Sequence, residues 1–154
     1  MLQTFSDDKL LHPDDILVKT SPINGRGLFA VGPYRAGETL MFIDGEPIDE
    51  TEALRRERAE ANWYIYWNDG RSYIDTAGSQ KGRYLNHACL PNTVTLPRDE
   101  VSLYLVALRD IAAGEELTLD YDYPEIYEVC RSHNPGCLHA ACPRATARIQ
   151  GDYP

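Results

Sequence analysis

Apolar residues along this chain fall in short runs punctuated by Gly, Pro and Asn, the pattern of a protein built from short strands. Ile16-Leu17-Val18-Lys19 is a strand candidate. Ser21-Pro22-Ile23-Asn24-Gly25 behind it is turn chemistry, because Pro fixes φ and Asn-Gly tolerates positive φ. Leu28 to Val31 predicts a second strand, broken by Gly32-Pro33. Trp63-Tyr64-Ile65-Tyr66-Trp67 is aromatic and β-favouring. Asn68-Asp69-Gly70 turns it, and Ser72 to Asp75 returns. Val101 to Leu108 is apolar on both alternating faces, as in a fully buried strand. Asp49 to Asn62 is the one helical stretch. Asp49 with Glu52 resembles a capping box, and Glu52 with Arg56 stands at i,i+4 in the favourable order. Its apolar positions are few (Ala53, Leu54, Ala61), which predicts a solvated surface helix.

A faint repeat runs through the strands. Leu28, Ala30, Ala36, Gly37, Glu38 and Leu40 recur as Leu105, Ala107, Ala113, Gly114, Glu115 and Leu117, at a constant offset of 77. Both copies read strand, irregular link, Ala-Gly-Glu turn, strand. Two similar hairpin-like units packed together are expected.

Composition narrows the class. A chain of 154 residues, 43% hydrophobic and 25% charged, suits a single globular domain with its own core. There is no apolar run of membrane-spanning length and no apolar signal core near the N-terminus, so the expectation is an intracellular protein, cytoplasmic or nuclear. The net charge of −9 disfavours direct nucleic-acid binding and favours a cationic partner such as a Lys- or Arg-rich peptide. Four cysteines without a secretion signal argue against a disulfide framework. Three of them, Cys130, Cys137 and Cys142, cluster in a tail poor in large apolar residues, a clustering that points to metal, with free thiols or a disulfide the alternatives.

Two blocks carry chemistry. Residues 83–92 read Arg-Tyr-Leu-Asn-His-Ala-Cys-Leu-Pro-Asn, and residues 114–123 read Gly-Glu-Glu-Leu-Thr-Leu-Asp-Tyr-Asp-Tyr. Each alone is weak. In this order, preceded by Gly25-Arg26-Gly27 and by Tyr73-Ile74-Asp75, they closely resemble the SET-domain protein methyltransferases, over most of the chain from Val18 to Cys142. The resemblance implies a mainly β fold, a β-clip of short curved sheets with a threaded C-terminal segment and one or two short helices. It implies an N-terminal arm over 1–15, a SET domain over 16–124 with a variable insert at about 46–72, and a post-SET-like tail over 125–154. Threading would not be proposed from the sequence alone, since threaded connections are rare.

The implied activity is methyl transfer from S-adenosylmethionine to a lysine ε-amine of a protein, histones being the familiar family target. A SET-like module that binds cofactor or peptide with little turnover is the alternative. By resemblance Tyr121 is the catalytic phenol. Asn86 and His87 contact the cofactor, as do Arg26, Gly27, Tyr64 and Arg83. Tyr64, Leu119 and Tyr123 line the substrate channel. Trp63, Tyr66 and Trp67 read as core or sheet-face residues, and Glu115 and Glu116 as solvated carboxylates after a turn. Many family members carry Phe or Tyr where this chain has Leu119, and the smaller side chain leaves room for higher methylation. The family's post-SET cysteines join the central one around structural zinc, which here implies Cys89, Cys130, Cys137 and Cys142. Cys130 departs from the usual spacing, since Pro135 stands where the family places a Cys, and His133 or His139 could substitute. A homodimer completing a groove is a further expectation. A hydrolase built on His87 and Cys89 is set aside, because no third orienting group or oxyanion motif accompanies them.

Overall fold

The computed structural model describes residues 13–62 and 64–121. Among the described residues, ten short strands form three small sheets, accompanied by one α-helix. The first contains β1 (Ile16–Thr20), β2 (Arg26–Ala30), β10 (Glu116–Leu119) and β7 (Asn86–His87), in the order β1-β2-β10-β7. β1 and β2 pair antiparallel around the Ser21–Gly25 turn, where Gly25 has φ 48. β10 runs antiparallel to β2 and parallel to β7, with Thr118 opposite Asn86 and Leu119 opposite His87. β10 therefore sits between the Arg26–Ala30 strand and the central motif.

The second sheet is β3 (Thr39–Asp44), β9 (Ser102–Ala107) and β8 (Thr93–Pro97), with β9 central. Flanked by both partners, β9 is buried at five of its six positions, as its two-faced apolar character predicts. β8 was not foreseen, although Thr93-Val94-Thr95-Leu96 is β-favouring. The third sheet is β4 (Glu46–Asp49), β6 (Ser72–Asp75) and β5 (Ile65–Asp69). The hairpin β5–β6 turns at Gly70, φ 46, where the Asn-Asp-Gly signal stands.

The helix α1 (Glu50–Glu60) is slightly shorter than expected. Asp49 caps it, accepting from the Glu52 N–H at 2.8 Å. The Glu52 side chain does not complete the capping box but pairs with Arg55 and Arg56. Ala53 is its only buried residue and Leu54 is exposed, so the helix lies on the surface as expected.

The repeat is physical. Gly37 N–H donates to the Ala107 carbonyl (2.8 Å), and Gly114 N–H donates to the Ala30 carbonyl (2.7 Å). Ala107 N–H donates to Glu38, and Ala30 N–H to Glu115. Tyr34 and Ile111 exchange both of their backbone bonds. Every pair maps onto the other by the offset of 77. Gly37 and Gly114 take φ 87 and 84, a region that glycine enters without steric cost. Beneath this clasp lies the core of Leu28, Ile43, Ile74, Leu85, Leu103, Leu105 and Leu117, all without solvent exposure. No helix among the described residues is long and apolar enough to cross a membrane.

Candidate active site

The site is built where β7 meets β10. Asn92, last residue of the first block, holds the second. Its Nδ2 donates to the Glu116 carbonyl and its Oδ1 accepts from the Thr118 N–H, each at 2.8 Å. Thr93 Oγ1 donates to the Thr118 carbonyl at 2.6 Å. These bonds continue the sheet where strand pairing stops, and Asn92 is 2% exposed, so each is sheltered from water. Ala88 N–H donates to the Leu119 carbonyl, and Tyr121 N–H donates to His87 Nδ1 at 3.1 Å. The polypeptide leaving β10 is thus registered against His87, and Tyr121 is delivered to a defined place.

The Tyr121 hydroxyl donates to the Leu85 carbonyl. Its ring lies 5.3 Å from the His87 ring and 6.3 Å from the Tyr66 ring, centroid to centroid. Burial, followed by the fields of Tyr64 and Glu116, pushes its pKa well above the ordinary tyrosine value. Tyr121 therefore stays protonated at neutral pH and acts as a dipole rather than a base. It lines a cleft of about 500 Å³ together with Leu119, Tyr66, Tyr73 and Ala53, rimmed by Glu50, Glu57 and Asp120. A larger cleft of about 1100 Å³, lined by Phe42, Asp44, Asp75 and Lys81 among others, contains none of the candidate catalytic, cofactor or channel residues.

Asn86 is 8% exposed and braces the Gly25-Arg26-Gly27 turn. Its Nδ2 faces four acceptors, at 3.1 Å from Ser21 Oγ, 3.2 Å from the Asn24 carbonyl, 3.0 Å from the Arg26 carbonyl and 2.9 Å from Glu116 Oε1. With the amide hydrogens committed inward, Oδ1 and the backbone are what Asn86 can offer a ligand. Glu116 is not a solvated carboxylate. Its Oε1 also accepts from Ser21 Oγ at 2.7 Å, and it sits where Gly27 lacks a side chain. Glu115 is tied to Arg109 and to the Ala112 N–H.

Arg26 and Arg83 are exposed, and their guanidinium carbons lie 5.5 and 4.7 Å from the Tyr84 ring centroid. Two guanidinium groups thus lie against one ring beside the glycine turn. Tyr64 is 36% exposed, outside the core that takes Tyr66. Leu119 is buried and lines the same cleft as Tyr121, whereas Trp67 is 54% exposed. Cys89 is buried, with Sγ 3.4 Å from His87 Nε2. Since His87 Nδ1 accepts a hydrogen bond from the Tyr121 N–H, Nε2 is the ring nitrogen left to carry the hydrogen in the neutral imidazole, and it faces the sulfur. Tyr123, Cys130, Cys137 and Cys142 lie outside the described residues, as do His133, His139 and Trp63. Among the described residues no three metal-binding side chains converge. Asn92, Ser21, Thr118 and the Leu85 carbonyl were given no role from sequence. Asn92 carried a signal as the closing residue of the Asn-His-x-x-x-Pro-Asn string; the others carried none.

The SET domain model matches residues 25–122, from the glycine turn to the residue after Tyr121. The chain belongs to the SET-domain family. Among curated SET relatives, the variant-silencing SET domain-containing protein of Plasmodium falciparum is 30% identical over 142 residues, covering 81% of this chain and 6% of that protein. Histone-lysine N-methyltransferase trithorax of Drosophila melanogaster is 34% identical over 124 residues, 75% of this chain and 3% of the relative. Histone H3-lysine(4) N-trimethyltransferase ATX1 of Arabidopsis thaliana is 34% identical over 130 residues, 76% of this chain and 12% of the relative. The chain therefore spans a small fraction of each of these proteins. Of solved structures, an active polycomb repressive complex 2 in its basal state matches with TM-score 0.58 and 29% identity, over 71% of this chain and 15% of that one. Polycomb Repressive Complex 2 of Chaetomium thermophilum matches with TM-score 0.58 and 28% identity, over 70% and 16%. The short-sheet architecture of this chain is that of the SET fold.

Proposed function

We propose that this chain is a protein-lysine methyltransferase that uses S-adenosylmethionine and acts on a basic protein segment, histone tails being the first candidates. The observation that carries the reading is Tyr121: a protonated phenol, anchored on the Leu85 carbonyl, facing a cleft walled by Leu119, Tyr66 and Tyr73. A free lysine titrates at roughly 10.4 and must lose its proton to become a nucleophile. An apolar wall favours the neutral amine. The carboxylates of Glu50, Glu57 and Asp120 at the rim suit the cationic segment that carries it. S-adenosylmethionine, when bound, supplies an activated methyl on a sulfonium. Arg26 and Arg83 would hold its carboxylate, and Gly27, Asn86 and His87 would line the rest of its site. Tyr64, Leu119 and Tyr123 are read as channel walls, with Leu119 leaving space for more than one methyl. A histone substrate would place the chain in the nucleus.

We also read Cys89 as one ligand of a structural zinc completed by Cys130, Cys137 and Cys142. What supports the reading is the buried Cys89 sulfur 3.4 Å from His87 Nε2, a neighbour that could hydrogen-bond a metal-bound thiolate.

The test is transfer of labelled methyl to purified core histones, with metal analysis of the same preparation. Expected are turnover, methylated lysine by mass spectrometry, and about one zinc per chain. Tyr121→Phe should lower transfer roughly 10²–10³-fold, as for loss of one preorganised hydrogen-bonding group, with cofactor affinity nearly unchanged. Cofactor binding by calorimetry without transfer to any lysine substrate would leave a binding module instead. Metal-free protein would remove the zinc.

A further inference from the structure

The wall of the Tyr121 cleft formed by α1 and the β5–β6 hairpin has a chemistry that the reacting centre does not require. Glu50, Ala53, Leu54 and Glu57 all line that cleft. They stand at i, i+3, i+4 and i+7, which puts them on one face of the helix. Ala53 is buried there, but Leu54 is exposed. The hairpin adds Trp67 and Tyr73, which are register partners across it. Trp67 Nε1 donates to the Gly70 carbonyl at 3.1 Å, so the indole is tied to the hairpin turn and its polar atom is already used. A single exposed leucine needs no explanation. Here an exposed leucine and an exposed, anchored tryptophan share one cleft wall, and aromatic anchors of this kind carry much of the energy at binding surfaces.

The charges of α1 are sorted to match. Arg55 pairs with Glu52 and Glu60, and Arg56 with Glu46, Glu52 and Asp75. Glu50 and Glu57, the two helix carboxylates on the cleft wall, pair with no cation among the described residues. Arg58, the third arginine of the helix, is not part of that wall. With Asp120, the described lining of the cleft carries three carboxylates and no Lys, Arg or His. A ligand that brings cations on both sides of an apolar side chain would complement this surface in charge and in polarity. At 1.5 Å per residue, positions 50 and 57 lie about 10 Å apart, the length of about three residues of extended peptide.

We propose that Leu54 and Trp67 form a specificity subsite that takes an apolar side chain of the substrate near the target lysine, while Glu50 and Glu57 receive basic residues beside it. The preferred substrate is then a segment in which lysine is accompanied by an apolar residue and further cations, rather than any exposed lysine. That the ligand brings a lysine to be methylated depends on the methyltransferase reading; the subsite itself does not.

Peptides with one lysine, two arginines and a leucine moved through the positions flanking the lysine provide the test. Versions with serine for leucine, or glutamine for both arginines, are the controls. Calorimetry on the full chain measures binding, and methyl transfer from S-adenosylmethionine measures turnover. In wild type the best leucine peptide should bind roughly tenfold more tightly than its serine version. The arginine version should be favoured over the glutamine version by a margin that shrinks as salt is raised. Leu54→Gln and Trp67→Ala should each cut the leucine advantage below about twofold; Leu54→Gln, at an exposed helix position, serves if Trp67→Ala disturbs the hairpin. Glu57→Lys should remove the preference for arginine. In turnover these changes should appear as a raised KM with kcat nearly unchanged, the mark of lost uniform binding. Equal binding of all versions by wild type, no peptide binding at all, or a leucine advantage undiminished in Leu54→Gln overturns the proposal. Methyl transfer indifferent to leucine and arginine removes the subsite and keeps the functional reading. Selective binding without transfer to any of the peptides removes the functional reading and keeps the subsite.

Discussion

Gly27 shows how a single residue can meet a demand that its motif does not reveal. From sequence it stands for close approach of backbone to a ligand. In the structure the nearer demand is internal: a Cβ at position 27 would lie 2.1 Å from Glu116 Oε1 and 3.1 Å from the Ser21 Cβ. Glu116 cannot simply swing away, because Ser21 and Asn86 both donate to that oxygen. Gly27→Ala should therefore destabilise the chain by about 1–3 kcal/mol, the usual cost of overpacking a closed site. Urea denaturation measures it. Pairing the change with Glu116→Ala should restore no more than part of the loss, since Ser21 and Asn86 then lose their acceptor. A Gly27→Ala chain as stable as wild type would show the carboxylate to be free to move. The motif string was legible at this scale, but its internal economy was not. Asn86 meets Ser21, Asn24 and Arg26 across 60 to 65 residues of chain, and no local pattern announces such contacts.

At the level of elements, α1 was readable from its caps and charges, whereas what it is fastened to was not. Its apolar face contributes little beyond Ala53, so its hold on the domain is ionic. Arg56 reaches Glu46 on β4, Asp75 at the end of β6 and Glu52 on its own helix. Burial works against ionisation of Asp75, but the Ala77 N–H, Arg56 and Asn62 outweigh it and hold its pKa below the ordinary value. Hydrogen bonds from Arg55 and then Arg56 bring Glu52 down to about 2, and Arg56 lowers Glu46. Carboxylates depressed on folding stabilise above their unfolded pKa, near 4, and the contribution is lost as pH falls through the folded values. Acidification from about pH 4 toward pH 2 should thus loosen α1, seen as faster amide exchange in residues 50–60 before the core opens. Arg56→Met should lower stability at neutral pH by leaving Asp75 without its guanidinium partner, and should flatten that acid limb. An unchanged acid profile in Arg56→Met would mean that the network does not fasten the helix. The thin hydrophobic face already indicated that something other than packing must do so.

On the scale of the whole molecule, the repeat at an offset of 77 was visible and the order of strands was not. Local signals mark where strands begin and turn, but the placement of β10 between β2 and β7 depends on contacts made far along the chain. The two repeated units clasp each other by six reciprocal backbone bonds: two between residues 34 and 111, and one each from residues 30, 37, 107 and 114. Neither unit can open alone without leaving the other's carbonyls unpaired above the core of Leu28, Leu105 and Leu117. The amides of Ala30, Gly37, Ala107 and Gly114 should accordingly exchange through one global opening, with a common free energy equal to that from urea unfolding. Gly37→Ala and Gly114→Ala test the same clasp from the backbone side. Each forces alanine into φ near 85, and at Gly114 no atom lies within 4 Å of the added methyl, so there the cost is conformational alone. About 1 kcal/mol is expected for each, similar in size because the two turns are structurally equivalent. Exchange that splits the four amides into two groups, each with its own opening energy, would show two hairpins resting side by side. It would also remove the reason for β10, and with it Tyr121, to be held as firmly as β2.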